Sequence, residues 1–452
     1  MTGAAGGPIV GAMQPFAALM AKPGNRAAAA NFGWLAVEKA ARLLCSVVVG
    51  FWVARHLGPA DFGRLNYALA LVGFGLMFAE GGIDSVARRE LVQAPERAGA
   101  LLAAIWRMRL TAGIVCYGGA LAWAAWGVRV PGDGLLLAAT GLILFQPALA
   151  VADLWLQANL QSRTAVLAQL IALGLGAVGR IALIEWQAPL WAFGAVGALE
   201  GALAAGLLTR GARRAGLYVA AGRDTLALIG RLARETWPLL LSGVAVSVYM
   251  RIDIVMLRNL VGAGAAGQYA AATRLSEIGY FIPVALSTSL LPALLRSRAA
   301  GAADYAESMQ RYCDLSAALG YGLAIPLALG APWLVRLAYG EAFAPAAAVL
   351  TVHAWAAVFV FIGVARGQFL VNEGLTRFNL AATVLGALAN VALNFLLIPR
   401  LGGTGAAIAT VASYAATAWL ASFAHPGVRA MAWRQTRALL LPFRMGRYLR
   451  RS

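Results

Sequence analysis

Six basic side chains sit inside segments that otherwise read as lipid-spanning helices: Lys39, Arg42, Arg180, Arg251, Arg274 and Arg366. A charge at the bilayer centre costs roughly 2.5–3.5 kcal/mol or more, so such residues face a bundle interior or a watery cavity. Guanidinium groups offer forked donors matched to phosphate oxygens. The chemistry this suggests is capture of an anionic group. Lys39, Arg42, Arg251, Arg274 and Arg366 are the candidate binding residues. Arg180, toward the outer end of its span, reads as structural, and snorkelling to the interface accounts for Arg366 nearly as well as ligand contact.

Acids accompany these cations. Glu38 and Arg42 are four apart and share a helix face, as do Arg274 and Glu277, three apart. Asp253 is expected to meet Arg274 across a short turn. Asp153 lies in the fourth span. Glu80 and Asp84, one turn apart in the second, can be neutralised by Arg88 and Arg89. An acid at membrane depth is a candidate for coupling to a proton or sodium gradient, so Glu38, Asp84, Asp153, Asp253 and Glu277 are assigned to coupling or charge pairing. His353 reads as a satisfied interior residue.

Bond-making chemistry has no support. There is no phosphate-cradling Gly loop with Lys-Ser/Thr, no metal-spaced His/Cys cluster and no nucleophile elbow. Cys45, Cys116 and Cys313 lie in or beside apolar runs and read as packing residues. No catalytic residue, metal or cofactor is expected. Gly-Leu-Gly-Ala at 174–177 reads as span packing.

The elements that must position these residues follow from composition. Of 452 residues, 61% are hydrophobic and only 12% charged, about half the charged fraction of a soluble domain. Helical rise demands about 20 apolar residues per crossing. Twelve windows meet this: 32–57, 62–86, 110–128, 135–158, 164–184 and 190–208, then 237–257, 268–295, 315–337, 346–371, 378–398 and 403–424. The formal net charge is +18, but the basic residues are spaced between apolar runs, so topology explains them better than nucleic acid does. With the amino end inside, 25 of the 37 basic residues fall on the cytoplasmic side, six on the other side and six within spans. This asymmetry obeys the positive-inside rule for an even span number with both ends cytoplasmic.

The expected organisation is a flexible cytoplasmic arm over 1–30, a first lobe over 31–209, a basic linker over 210–236, a second lobe over 237–424 and a basic cytoplasmic tail over 425–452. An internal repeat supports two matching halves. The stretch around Arg55-His56-Leu57-Gly58, ending at Phe62-Gly63-Arg64, recurs about 200 residues later around Arg258-Asn259-Leu260, ending at Ala266-Gly267-Gln268. The fold class is therefore an all-α polytopic membrane protein, with twelve spans in two pseudo-symmetric six-helix lobes around a central cavity.

Three stretches carry a family resemblance. YMRIDIVMLRNLVGAGAAGQYAAATRLSE (249–277), VARHLGPADFGRLNYALA (53–70) and ALNFLLIPRLGGTGAAIAT (392–410) resemble the span-to-span turns of bacterial polysaccharide flippases, within the multidrug/oligosaccharidyl-lipid/polysaccharide exporter superfamily. The resemblance implies a V-shaped two-lobed transporter of the bacterial inner membrane. It would move undecaprenyl-diphosphate-linked oligosaccharides to the periplasmic leaflet by alternating access, for surface polysaccharides such as lipopolysaccharide or exopolysaccharide. It also implies a cationic cavity lined by the first, second, seventh and eighth spans, where Lys39, Arg42, Arg251 and Arg274 fall. Expected partners are the lipid-linked oligosaccharide, membrane lipids, a polysaccharide polymerase and other export-pathway proteins. An ion-coupled exporter of another small amphipathic or drug-like substrate is the alternative.

Overall fold

In a computed structural model of the chain, the described residues are 23–127, 130–217 and 225–448, and they contain no strand. In chain order the helices are α1 (Pro23–Glu80), α2 (Asp84–Gln93), α3 (Ala98–Trp126), α4 (Asp133–Gly141), α5 (Gln146–Leu149), α6 (Val151–Ala158), α7 (Ser162–Glu185) and α8 (Leu190–Arg214). Then follow α9 (Thr225–Leu260), α10 (Ala263–Glu277), α11 (Phe281–Ala300), α12 (Ala302–Tyr339), α13 (Ala346–His353), α14 (Ala356–Asn372), α15 (Thr376–Ala418), α16 (Arg429–Leu439) and α17 (Leu441–Tyr448). Residues 1–22 of the expected arm, 218–224 of the expected linker and 449–452 of the tail lie outside the described residues. Helix α1 already begins at Pro23, inside the stretch expected as an arm.

Among the described residues, ten helical stretches are long and apolar enough to cross a membrane. Two of them are double. In α1, Gly58 is non-helical (φ 69°, ψ 174°) and is followed by Pro59; in α15, Gly402 is non-helical (φ 55°, ψ −134°), just after Pro399. A positive φ is cheap only for glycine, so each helix stops there and a new one starts. Ten stretches thus hold twelve spans, the all-helical plan expected from the hydropathy pattern.

Three spans expected to be continuous are broken, the tenth by a turn at Ala354 and Trp355 between α13 and α14. The fourth is divided into α4, a 3₁₀ turn over Leu142–Phe145, α5 and α6. The eighth is divided into α10, a 3₁₀ turn over Ile278–Tyr280 and α11. Proline lacks an N–H and clashes with the carbonyl four residues back. Pro147 and Pro283 place that clash at Ile143 and Gly279, within the two 3₁₀ turns.

The described residues form two compact units. The first holds the described residues up to Gly50 together with Gly75–Leu240; the second holds Phe51–Phe74 together with the described residues from Leu241. Ile83, Leu102, Ile105 and Leu232 are at the centre of one core of the first unit. Phe62, Leu257, Tyr339, Phe343 and Ile398 centre a core of the second. Lipid is as apolar as leucine, so close backbone approach matters more here than burial itself. Phe51–Phe74 joins the second unit through such an approach. A Cβ added at Gly63 would overlap the Ala263 carbonyl oxygen and stand 2.8 Å from the Gly267 nitrogen. A Cβ added at Gly267 would overlap the Pro59 carbonyl oxygen and stand 3.0 Å from the Gly63 nitrogen.

The tail is docked through specific contacts. Val428, Met431 and Ala438 enter a second core of the same unit, around Met309, Cys313 and Ile362. The fully buried Gln435 amide donates to the Ala418 carbonyl at 2.6 Å, and the Tyr321 hydroxyl donates to the Leu439 carbonyl at 2.8 Å.

Candidate functional site

In the first unit, Arg42 is the hub of a polar chain. Its Nε donates to Glu38 at 2.7 Å, its Nη1 lies 3.9 Å from Glu200, and its Nη2 donates to the Gln169 carbonyl oxygen at 3.4 Å. Glu200 also accepts from Arg180 at 2.8 Å. Gly176 makes room for that pair, because a Cβ there would overlap the Glu200 carboxylate and stand 3.1 Å from Arg180 Nη1. The Gly-Leu-Gly-Ala run therefore accommodates a charge pair, beyond the helix packing read from sequence. Lys39 is exposed beside Arg42. The chain continues through the Gln169 amide to Asp153 at 3.4 Å, and Gln157 donates to the same carboxylate oxygen at 2.9 Å. The other Asp153 oxygen is buried without a hydrogen-bond partner.

Asp84 pairs with Arg88 at 3.8 Å and also with Arg109. Arg89 instead pairs with Glu235, on α9. Arg109 was expected in a cytoplasmic connection. It is buried within α3, where it also donates to the Pro147 carbonyl at 3.1 Å. That carbonyl stands at the break in the fourth span, which composition alone could not place. Glu80, Asp84, Arg109, Gln146, Asp153 and Gln157 line a small polar cavity of about 210 Å³.

In the second unit, the expected charge pairs do not form. Arg274 makes no ion pair with Glu277 or Asp253; its guanidinium lies over the Phe62 ring, 5.6 Å from the centroid. Arg251 is exposed and passes over Gly73, where an added Cβ would stand 3.2 Å from its Cδ. Both arginines thus lie along the second span without a close ion pair among the described residues.

Asp253 is paired with neutral donors. It is almost fully buried and accepts from Tyr269 Oη at 2.5 Å, Thr410 Oγ1 at 2.6 Å and Asn394 Nδ2 at 2.5 Å. The same Asn394 amide reaches Asn390 Oδ1 at 3.0 Å, and Asn390 donates to Ser413 at 3.3 Å. Asn394 Oδ1 is buried with no partner. A carboxylate, hydroxyls and two carboxamides are therefore linked in one buried hydrogen-bonded cluster, with the Asn394 Oδ1 acceptor unused. Such hard oxygens suit a small cation or a proton. The sequence reading found Asp253 but missed Asn390, Asn394 and Thr410. The available signal was two asparagines four apart on one face of an apolar span. His353 is buried, with Nδ1 2.5 Å from Ser276 Oγ, as a satisfied interior residue would be.

Arg366 does not snorkel. It is 2% exposed, its Nε and one Nη are buried without partners, and it stacks over Phe378 at 5.5 Å. Among the described residues, no group of three or more His, Cys, Asp and Glu could hold a metal ion.

Residues 28–298 match the family described as polysaccharide biosynthesis protein, and residues 238–396 match MatE. No curated protein matches the chain in sequence. Among solved structures, the inward-facing conformation of a multidrug resistance MATE family transporter of the MOP superfamily is 17% identical, covers 89% of this chain and 95% of its own, and superposes with a TM-score of 0.67. The lipid II flippase MurJ in its inward closed conformation is 13% identical over 91% of this chain and 90% of its own, with a TM-score of 0.72. An outward-facing MATE transporter is 15% identical over 94% of this chain and 98% of its own, with a TM-score of 0.58. These likenesses establish the fold, while the first family match spans more than half of the sequence and includes Lys39, Arg42 and Asp253. The chain therefore belongs to the polysaccharide biosynthesis protein family and is a multi-pass membrane protein with the fold of MOP-superfamily transporters.

Proposed function

We propose that this protein is a flippase for undecaprenyl-diphosphate-linked oligosaccharides, moving them across the bacterial inner membrane by alternating access for surface polysaccharide synthesis, without enzyme chemistry of its own. One observation carries the reading: Lys39, Arg251 and Arg274 stand in long apolar helices and form no close ion pair among the described residues, in a member of a polysaccharide biosynthesis family. An unpaired charge in a span is costly and is kept where an anion must be met. A diphosphate supplies that anion, and its lipid tail can remain in hydrocarbon while the head passes. Arg42 is different, since Glu38 and Glu200 partly neutralise it. We assign it to tuning, so that the headgroup is held and also released. Arg366, shut in beneath Phe378, contributes only if its surroundings open.

Coupling is assigned to Asp253 with Asn390, Asn394 and Thr410, whose unused amide oxygen would complete a cage for sodium or be spared by a proton on the carboxylate. Asp153, Glu38, Asp84 and Glu277 are secondary candidates. A polymerase and other export proteins are expected neighbours in the membrane.

The test is reconstitution into vesicles carrying a lipid-linked oligosaccharide, with glycosidase added outside. Protein-dependent cleavage beyond the outer-leaflet half is the expected result. A protein that leaves the inner half protected, yet exports an amphipathic dye, would be an ion-coupled exporter instead.

A further inference from the structure

At one end of the first unit lies a groove of about 610 Å³, within the size range of ligand pockets. Three helical segments build it. Leu102 and Trp106 come from α3, Ala148, Leu149, Val151 and Ala152 from the α5–α6 break, and Thr209 and Arg213 from the last turns of α8; Leu217 closes one side. The floor is apolar and buried at Leu102, Val151 and Ala152, whereas Trp106 and Leu149 are half-exposed at the rim. The broken fourth span matters here, because the kink after Leu149 separates α5 from α6 and leaves small residues at the base.

The rim is cationic. Thr209 and Arg213 are four apart on one helix face, so both look into the groove. Arg213 is exposed and makes no ion pair among the described residues, and Arg210 and Arg214 are exposed beside it. The distribution of arginines assigns this end to the cytoplasmic leaflet. An apolar slot below, a tryptophan at the interface and a free guanidinium at headgroup height match an amphiphile with a phosphate head. Basic pockets between spans on the cytoplasmic side take anionic lipid headgroups.

We infer that this groove is a binding site for an anionic phospholipid of the cytoplasmic leaflet, with one acyl chain against Leu102, Val151 and Ala152 and the phosphate on Arg213 and Thr209. The occupant is a resident lipid, distinct from transported cargo.

Full-length protein released from nanodiscs would be analysed by native mass spectrometry, after titration with phosphatidylglycerol or phosphatidylcholine of equal chain length. Wild type should retain phosphatidylglycerol about tenfold better, the equivalent of one charge-assisted hydrogen bond. Arg213→Gln should bring the two lipids to parity, and Trp106→Ala should weaken both. Arg377→Gln, an exposed arginine of the other unit, should change neither. Equal retention of both lipids by wild type, or an undiminished preference in Arg213→Gln, would overturn the site. Displacement of phosphatidylglycerol by undecaprenyl phosphate at equal concentration would also overturn it, by making the groove a cargo site. Transport is not read in this experiment, so its failure and that of the flippase assignment remain distinguishable.

Discussion

Gly63 and Gly267 occupy equivalent places in the two copies of the internal repeat, and each approaches the backbone of the other copy. Gly63 faces the Ala263 carbonyl and Gly267 faces the Pro59 carbonyl, with the same four-residue spacing in both directions. The contact is self-complementary, as across a two-fold axis. Gly58 and Gly262, five residues before each, both have positive φ with ψ near 174°.

Gly63→Ala and Gly267→Ala should therefore destabilise the protein by similar amounts, about 1–3 kcal/mol each from overpacking against rigid backbone. Thermal unfolding in detergent, followed by size-exclusion recovery, measures this. Gly118→Ala, where an added Cβ meets nothing within 4 Å, should leave the transition unmoved. Equal behaviour of all three variants would mean that the crossing relaxes freely.

The Asp253 cluster separates stability from coupling. Asp253→Ala leaves the donors of Tyr269, Thr410 and Asn394 without their acceptor, a loss of about 1–3 kcal/mol or more. Asp253→Asn preserves the shape and should fold. In vesicles, an imposed sodium or proton gradient should accelerate wild-type flipping and leave Asp253→Asn unaffected. Wild-type rates that ignore both gradients would remove the cluster from the mechanism.

Arg274→Leu should lose at least about tenfold in flipping while melting close to wild type, because removing the guanidinium breaks no close ion pair. Arg42→Ala should lose flipping and stability together, since Glu38 and Glu200 then lose a partner. Paired transport and melting measurements on both variants check the contrast. Full transport by Arg274→Leu would exclude it from cargo contact.

Arg366→Met should raise thermal stability by about 1 kcal/mol or more, because a buried unpartnered charge is replaced by an apolar chain of similar length. Calorimetry in nanodiscs is the measurement. A lower melting point would show that stacking on Phe378 outweighs the desolvation of the charge.

Much of the architecture was legible in the sequence. Apolar windows give the spans, and the Gly-bearing repeat marks a turn that the structure places at Gly58 and Gly262. The charged site was legible only in part. Helical spacing correctly pairs Glu38 with Arg42, because both ride one helix face. The same rule fails for Arg274 and Glu277, which the rule places side by side while the guanidinium turns to Phe62. Asp253 was expected to seek a cation across a turn, but its partners lie 16 to 157 residues away on three spans, within α10 and the two halves of α15. Breaks at Pro147 and Pro283 hid within apolar runs because hydropathy averages over a proline.

The glycine crossing is made of main chain alone. It requires the absence of a Cβ and nothing from the charge, polarity or bulk of the positions around it. The flanking residues have accordingly been free to take up unrelated tasks. Arg64 clasps Asp61 at 2.9 Å, whereas its counterpart Gln268 holds the Ala342 carbonyl at 2.9 Å and the Ala346 amide at 3.1 Å. Two halves can drift apart in vocabulary while their shared seam keeps its registration.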